Sequence, residues 1–366
     1  MDKTRIDAIT GLRGLAALLV VYGHSVDWFS LPWKVNFSGE IGVMIFFSLS
    51  GFLMAYLYLG KKFSVLSVTD YAFSRFSRIA PAYLVILLFS YFIYTGIDPN
   101  FVYGISSKNI LRHILFSGNV SVFWSITPEV EFYFLFVLVW AAASRYLTRF
   151  DILGLAFLTF GGMILLSYRD VFPGTFVGAK LHYFLFGVIA GIIRSKIKAE
   201  NQGRTSLIIL HGLLLAAMVL MESGWIALPF SSNKEFYSSI LTAVFGSFLV
   251  FGFSFPSALG GFFFENRAIV LCGECSFSIY LLHMPIIYLC HKFFPLSSSP
   301  LFQIAFLIPF VVLLLLFSWL NYQLVERPGA RLIKSMGNLF KRKFIPLFPL
   351  ATRAQPQPLS VESETR

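Results

Sequence analysis

Ten apolar stretches run along the chain, and most approach the roughly 20 residues that a helix needs to cross a bilayer. Backbone N–H and C=O groups cannot stay unpaired in lipid, so each stretch is predicted to be a helix. The alternating strands of a membrane barrel are missing from the pattern. The sequence therefore predicts an all-α, polytopic transmembrane helix bundle. The ten predicted spans are 12–31, 39–59, 80–97, 123–143, 152–168, 180–193, 205–224, 237–254, 272–293 and 301–324.

Composition excludes a soluble domain. Hydrophobic residues make up 57% of the 366 residues and charged residues only 13%, whereas a soluble domain carries about 25% charged residues. The net charge of +11 would suggest nucleic acid in a soluble protein. Here the basic residues lie in short loops between apolar spans, so the charge is a topology signal and no nucleic-acid partner is expected.

The distribution of Lys and Arg predicts the orientation in the membrane. With ten spans and a cytoplasmic N-terminus, 22 of the 29 Lys and Arg residues lie on the cytoplasmic side and 7 on the far side. This asymmetry follows the positive-inside rule. We therefore expect both termini in the cytoplasm.

The chain is predicted to form one membrane domain over 1–329, followed by a cytoplasmic tail over 330–366. The tail is first basic and then rich in Pro, Ser and Glu, which is typical of disorder. The stretch 255–271 fits no simple span and could dip into the membrane. Cys272 and Cys275 have the spacing of half a zinc site, but no second pair exists, so no metal is expected.

Charged and titratable groups inside a membrane helix are costly and usually mark a functional path. The first span carries Arg13 and His24, eleven residues apart. On a helix this spacing is within ~20° of three full turns, with ~16 Å between the residues along the axis. Arg is suited to bind phosphates and His to move a proton near neutral pH. The alternative is an Arg reaching the membrane surface and a His satisfied by a neighbouring helix.

The fourth span opens with Trp124, Glu129, Glu131 and Tyr133, and Pro128 is predicted to start its helix. Residues 129 and 131 differ by ~200° on a helix, so only one of them can face the core with ease. Glu129 could orient the His24 imidazole as in acid–base sites. It could equally be a partner for the helix dipole.

Two further groups are candidates for binding. Arg75 and Arg78, in the predicted cytoplasmic loop after the second span, share a face if that segment is helical. They could bind the phosphates of a nucleotide-type donor or the head groups of lipids. The ninth span carries Tyr280 and His283, and His283 could bind substrate hydroxyls or be structural.

Taken together, these residues resemble the acyltransferase-3 family of integral membrane acyltransferases, typified by bacterial sugar O-acetyltransferases. The order and spacing of the matching segments over about 330 residues carry the resemblance. These segments are Arg5 to Ala17 with His24-Ser25, Phe46 to Leu53, Arg75 with Arg78-Ile79 and Pro81, Trp124 to Ile126 with Glu129 and Phe132-Tyr133, Ser278 to Pro285, and Glu326-Arg327-Pro328.

The resemblance implies a multi-pass acyltransferase of the bacterial inner membrane, in contact with membrane lipids. It implies that acetyl-CoA is used from the cytoplasm and that the acceptor is a hydroxyl of a surface polysaccharide or its lipid-linked precursor. The expected catalytic residues are His24 and Glu129, and Arg13, Arg75 and Arg78 are expected to bind the donor. The residues expected to bind substrate are Trp124, Tyr133, Tyr280 and His283.

Two departures from the family pattern matter. The family often has adjacent glutamates in the fourth span, whereas here Val130 separates Glu129 from Glu131, which leaves the role of Glu131 open. Some members also carry a C-terminal esterase-like domain. This sequence carries none, so the membrane domain is expected to complete the transfer or to hand over to a separate protein.

Two other classes of function compete with acyl transfer. A transporter or glycolipid flippase would also bury polar residues, but such proteins often show repeated halves, and no such symmetry is evident here. A non-catalytic scaffold would not need an Arg and a His aligned on one face.

Overall fold

The computed structural model describes residues 6–29, 31, 35–197, 204–225, 228–293 and 300–344. Every regular element in these residues is helical, which confirms the predicted fold class. The α-helices are α1 (Asp7–Trp28), α2 (Ser38–Met54), α3 (Val65–Gly96), α4 (Ile110–Ile114), α5 (Ile126–Arg149), α6 (Leu153–Ser167), α7 (Val177–Lys196), α8 (Arg204–Ser223), α9 (Asn233–Ser238), α10 (Ile240–Phe253), α11 (Ala258–Phe264), α12 (Arg267–Glu274), α13 (Ser276–Phe293), α14 (Pro300–Asn321) and α15 (Arg327–Phe344).

Among the described residues, seven helical segments are long and apolar enough to cross a membrane, and nine if each of two bent pairs counts as one span. The bent pairs are α10 with α11, at 105°, and α12 with α13, at 76°. The remaining predicted span, 152–168, is the 15-residue helix α6, which is shorter than the other spans. The chain is thus a multi-pass membrane protein with seven to nine candidate spans among the described residues, and the shorter helix α6 would be the tenth.

Helix α3 differs from the prediction. The apolar pattern begins near residue 80, but the helix starts at Val65 and runs for 32 residues. The Ser64 side chain accepts a hydrogen bond from the Ser67 N–H and caps the start. Arg75 and Arg78 therefore lie within a helix and not in a loop. Helix α15 packs along this part of α3, where Gly337 lies against Phe73 and Gly329 against Pro81.

Helix α1 lies at the centre of the bundle and packs closely against its neighbours. A Cβ added to Gly14 would overlap the backbone of α12, and one added to Gly42 of α2 would overlap the Ala16 carbonyl of α1. Small residues allow such close approach of membrane helices. The segment 255–271, which fitted no simple span, forms α11 and the start of α12. Both helices pack against α1.

Two π-helical segments interrupt the long helices. One, Ala55–Leu59, extends α2, and the other, Tyr322–Glu326, joins α14 to α15. Single π-helical turns redirect side chains and are frequent at functional sites. Helix α15 packs along α3, and Lys341 forms an ion pair with Asp70 there.

The predicted boundary after residue 329 falls inside α15, and residues 345–366 of the predicted tail lie outside the described residues.

The number of crossings predicts where the termini lie. Nine crossings would place the termini on opposite sides of the membrane, whereas a tenth crossing by α6 would place both on one side. We expect α6 to cross, because the charge asymmetry predicts that both termini lie in the cytoplasm. Topology reporters fused to either terminus should both report cytoplasm. Reporters on opposite sides would show that α6 does not cross.

Candidate active site

Two adjoining cavities lie in the bundle. The first, about 240 Å³, is called the arginine chamber, and its polar lining includes Arg13, Arg75, Arg78, Ser50, Glu129 and Tyr133. The second, about 540 Å³, is called the histidine chamber, and its lining includes His24, Asp27, Glu40, Trp124, Asn233 and Tyr237. The described bundle therefore contains one chamber rich in guanidinium groups and one that combines an imidazole with carboxylates and aromatic rings.

The two chambers are linked by α1. Arg13 and His24 lie on this unbroken helix, as predicted. The Arg13 side chain lines the arginine chamber, and the His24 side chain lines the histidine chamber. The rise along the axis sets them ~16 Å apart. One rigid element therefore holds a cation and an imidazole at a set separation.

Two of the three arginines, Arg13 and Arg78, meet at α13. Arg13 Nη2 donates a hydrogen bond to Ser276 Oγ at 3.0 Å, and Arg78 Nη2 approaches the same oxygen at 3.5 Å. Ser276 is available there because the chain bends by 76° between α12 and α13. The shared serine hydroxyl therefore ties α1 and α3 to the start of α13.

The arginines differ in their ionic partners. Arg78 Nη1 lies 3.7 Å from a carboxylate oxygen of Glu326, which the second π-helical segment carries into the core. The Nε of Arg75 is buried and, in the described part of the chain, has no hydrogen-bond partner. The Arg75 guanidinium carbon lies 5.8 Å from the centre of the Tyr58 ring, on the first π-helical segment. A buried guanidinium with a free donor favours an anionic ligand.

Glu129 belongs to the arginine chamber. Its Oε1 accepts hydrogen bonds from the Ser50 hydroxyl at 2.8 Å and from the Tyr133 hydroxyl at 2.6 Å. The prediction that Glu129 orients the His24 imidazole is not supported, since its hydrogen bonds go to these two residues and His24 lines the other chamber. The spacing of residues within α1 or within α5 could not show that His24 and Glu129 line different chambers.

Glu131, whose role the sequence left open, has a structural contact. Its Oε2 accepts a hydrogen bond from the Val177 N–H at 2.7 Å, and Val177 is the first residue of α7. The first N–H groups of a helix have no partner inside the helix, so this carboxylate satisfies one of them. The helix α5, which carries both glutamates, begins at Ile126, two residues before the predicted start at Pro128. Pro128 therefore lies in its first turn.

His24 packs against the second predicted histidine. The centres of the His24 and His283 rings are 5.3 Å apart. His283 Nδ1 lies 2.6 Å from the Tyr280 carbonyl oxygen, so this nitrogen is assigned as the donor, while Nε2 is buried without a hydrogen-bond partner among the described residues. Asp27, three residues after His24 on α1, is close enough for an electrostatic interaction with the imidazole. Asp27 rather than Glu129 is thus the carboxylate near His24.

The predicted aromatic residues are divided between the chambers. Trp124 lines the histidine chamber and meets Tyr237 edge to face, with ring centres 5.4 Å apart. Tyr133 lines the arginine chamber, and Tyr280 lines both. The structure brings all of the predicted site residues to the two chambers or, for His283, to the side of His24.

Sequence reasoning missed six residues that the structure adds to these sites: Ser50, Ser276, Glu326, Asp27, Glu40 and Tyr237. Glu326 lies in the Glu-Arg-Pro segment that matched the family, and Asp27 lies one helical turn beyond His24. The sequence therefore gave a reason to consider both as site residues. Nothing in the sequence pattern indicated that Tyr237, on the short helix α9, is a site residue.

The chain belongs to the acyltransferase-3 family, because the family's model, described as an acyltransferase domain, matches residues 6–322. This confirms the resemblance based on the motifs. No solved structure matches the chain.

The curated relatives are bacterial. A protein of Staphylococcus aureus (strain COL), provisionally named as an O-acetyltransferase, is 24% identical over 94% of this chain and 60% of its own length. Peptidoglycan O-acetyltransferase OatA of Listeria monocytogenes is 24% identical over 78% of this chain and 50% of that protein. The chain thus spans about 60% or less of the length of these relatives.

The Arg78–Glu326 pair is expected to stabilise the fold, because the glutamate side chain is only 6% exposed. Replacing both residues by Ala, singly and together, should give a coupling free energy of about 1–2 kcal/mol in unfolding. The Arg145–Asp151 pair is the control, since its arginine side chain is 66% exposed, and it should give about 0–1 kcal/mol. Unfolding in detergent micelles measures both cycles. Stronger coupling in the control pair than in the buried pair would contradict this assignment.

Proposed function

We propose that the chain is a membrane O-acetyltransferase of the bacterial inner membrane. It moves an acetyl group from cytoplasmic acetyl-CoA to a hydroxyl of a surface polysaccharide or its lipid-linked precursor. The observation that carries the proposal is that α1 places Arg13 in one chamber and His24 in the adjoining one. The family and the names of the relatives support O-acetyl transfer.

The arginine chamber is the proposed donor site. Arg13, Arg75 and Arg78 line it together with a single carboxylate, Glu129, so its lining carries excess positive charge. Guanidinium groups bind phosphates with paired hydrogen bonds, and the buried Arg75 Nε has a donor to offer. The phosphates of acetyl-CoA supply the matching charge, and its thioester arm extends toward the histidine chamber.

The histidine chamber is the proposed acceptor site. Asp27 and Glu40 can accept hydrogen bonds from sugar hydroxyls, and Trp124 and Tyr237 offer aromatic surface to the apolar faces of a sugar ring. The Listeria relative carries the name of a peptidoglycan O-acetyltransferase, so its named acceptor is also a glycan.

The proposed reaction needs one proton acceptor at the boundary of the two sites. His24 takes the proton of the sugar hydroxyl, and the hydroxyl oxygen bonds to the thioester carbonyl carbon as the carbon–sulfur bond breaks. The proton on His24 then passes to the leaving thiolate, which gives free CoA and the acetyl ester. Asp27 stabilises the imidazolium that exists between these steps.

A covalent route uses the same residues. In that route His24 first accepts the acetyl group on a ring nitrogen and then passes it to the sugar oxygen. Incubation with labelled acetyl-CoA in the absence of glycan distinguishes the two routes. Direct transfer leaves the protein unlabelled, whereas the covalent route labels it in a way that depends on His24.

The test of the proposed function is the transfer of labelled acetyl groups from acetyl-CoA to surface glycan in membranes. His24→Ala should lower transfer by about 10²–10⁴-fold, the usual contribution of a general base, and Arg13→Ala should raise the KM for acetyl-CoA. His291→Ala is the matched control, because His291 is exposed at the end of α13. Full transfer by a His24→Ala protein present at normal levels would rule out both routes.

A further inference from the structure

Two residues, Val43 and Tyr280, line both the arginine chamber and the histidine chamber. They are called the neck. Val43 lies on α2 and Tyr280 on α13, so the neck is formed between two different helices. These two side chains therefore lie at the boundary between the proposed donor site and the chamber that His24 lines.

Tyr280 is held firmly in its position. Its hydroxyl shares a hydrogen bond of 2.7 Å with the Ser125 hydroxyl and lies 3.0 Å from the Val122 carbonyl oxygen, which accepts from it. The Phe46 ring meets the Tyr280 ring edge to face, with centres 6.1 Å apart. The phenol ring is fixed at its polar end and along its side, so it forms a rigid wall.

Val43 is held in position through its helix. Its neighbour Gly42 packs so closely against α1 that an added Cβ would overlap the Ala16 carbonyl oxygen. This close packing fixes the position of α2 against α1. Val43 is 5% exposed, and its β-branched side chain has few rotamers to adopt. The second wall of the neck is thus as rigid as the first.

We propose that Val43 and Tyr280 flank the acyl group of the bound thioester and limit the length of the group that reacts at His24. This inference rests on the proposed function. An acetyl group adds one methyl to the carbonyl carbon and is the shortest common acyl group, whereas propionyl and butyryl groups add methylenes that must fit between these two fixed side chains. Packed interiors resist added methylenes, and one methylene changes enzymatic discrimination by about 10–200-fold.

The test compares acetyl-, propionyl- and butyryl-CoA as donors for glycan acylation by the purified full chain in liposomes. The wild type should transfer acetyl best and butyryl least. Val43→Ala removes two methyl groups from the neck and should raise the butyryl-to-acetyl ratio by about tenfold or more. Tyr280→Phe keeps the ring but removes both hydrogen bonds, and should raise the same ratio by a smaller factor.

Val188→Ala is the matched control. Val188 is 6% exposed, close to the 5% of Val43, but it lies on α7 and lines neither chamber. This variant should leave the order of the three donors unchanged. It separates the effect of a lost buried valine from the effect of a wider neck.

The outcomes separate the two proposals. A wild type that transfers acetyl while Val43→Ala and Tyr280→Phe keep its donor profile would overturn the neck and leave the proposed function standing. A wild type that transfers butyryl as well as acetyl would also overturn the proposal for the neck without contradicting the proposed function. A wild type that transfers no acyl group from any donor would overturn the proposed function, and the neck with it.

Discussion

Positive charge held inside the bundle is the constraint on which the rest of the site depends. Three guanidinium groups and one carboxylate line the arginine chamber. Charges inside a membrane protein are costly unless they are paired or solvated. Arg78 is paired with Glu326, and Arg13 is bound to Ser276. Arg75 keeps a buried Nε without a partner in the described part of the chain. The site therefore favours an anion, and in the proposed function the phosphates of the donor would supply it.

The irregular parts of the helices serve the same site. The bend between α12 and α13 presents Ser276 to two arginines, and the π-helical segments carry Tyr58 toward Arg75 and Glu326 toward Arg78. Each interruption weakens the regular hydrogen bonding of a membrane helix. Their location around one cavity indicates that this cost is compensated by the contacts they make there.

How much of this could be predicted depended on the range of the interactions. The apolar stretches predicted the helical fold, and an eleven-residue spacing predicted that Arg13 and His24 lie along one helix. Both depend only on local periodicity. The contacts of Glu129 with Ser50 and of Glu131 with Val177 could not be predicted, because Ser50 and Val177 come from other helices.

The full extent of α3 was not predicted for a related reason, because hydropathy registers contact with lipid. It does not detect the part of α3 before residue 80, along which α15 packs. It also counted α6 equally with longer helices, although α6 has only 15 residues. The chamber residue Tyr237 was the first residue of the predicted span 237–254, but it belongs to the separate short helix α9, and hydropathy gave no reason to consider it a site residue.

The central claim is that the bundle carries an acyl group from a donor on one side of the membrane to an acceptor on the other. Sealed vesicles that contain labelled acetyl-CoA, with the glycan of the host surface supplied only outside, test it directly. With the cytoplasmic face of the protein inward, the account predicts labelled ester on the external glycan while CoA stays within the vesicles. Label that enters glycan only when donor and acceptor are on the same side would contradict it.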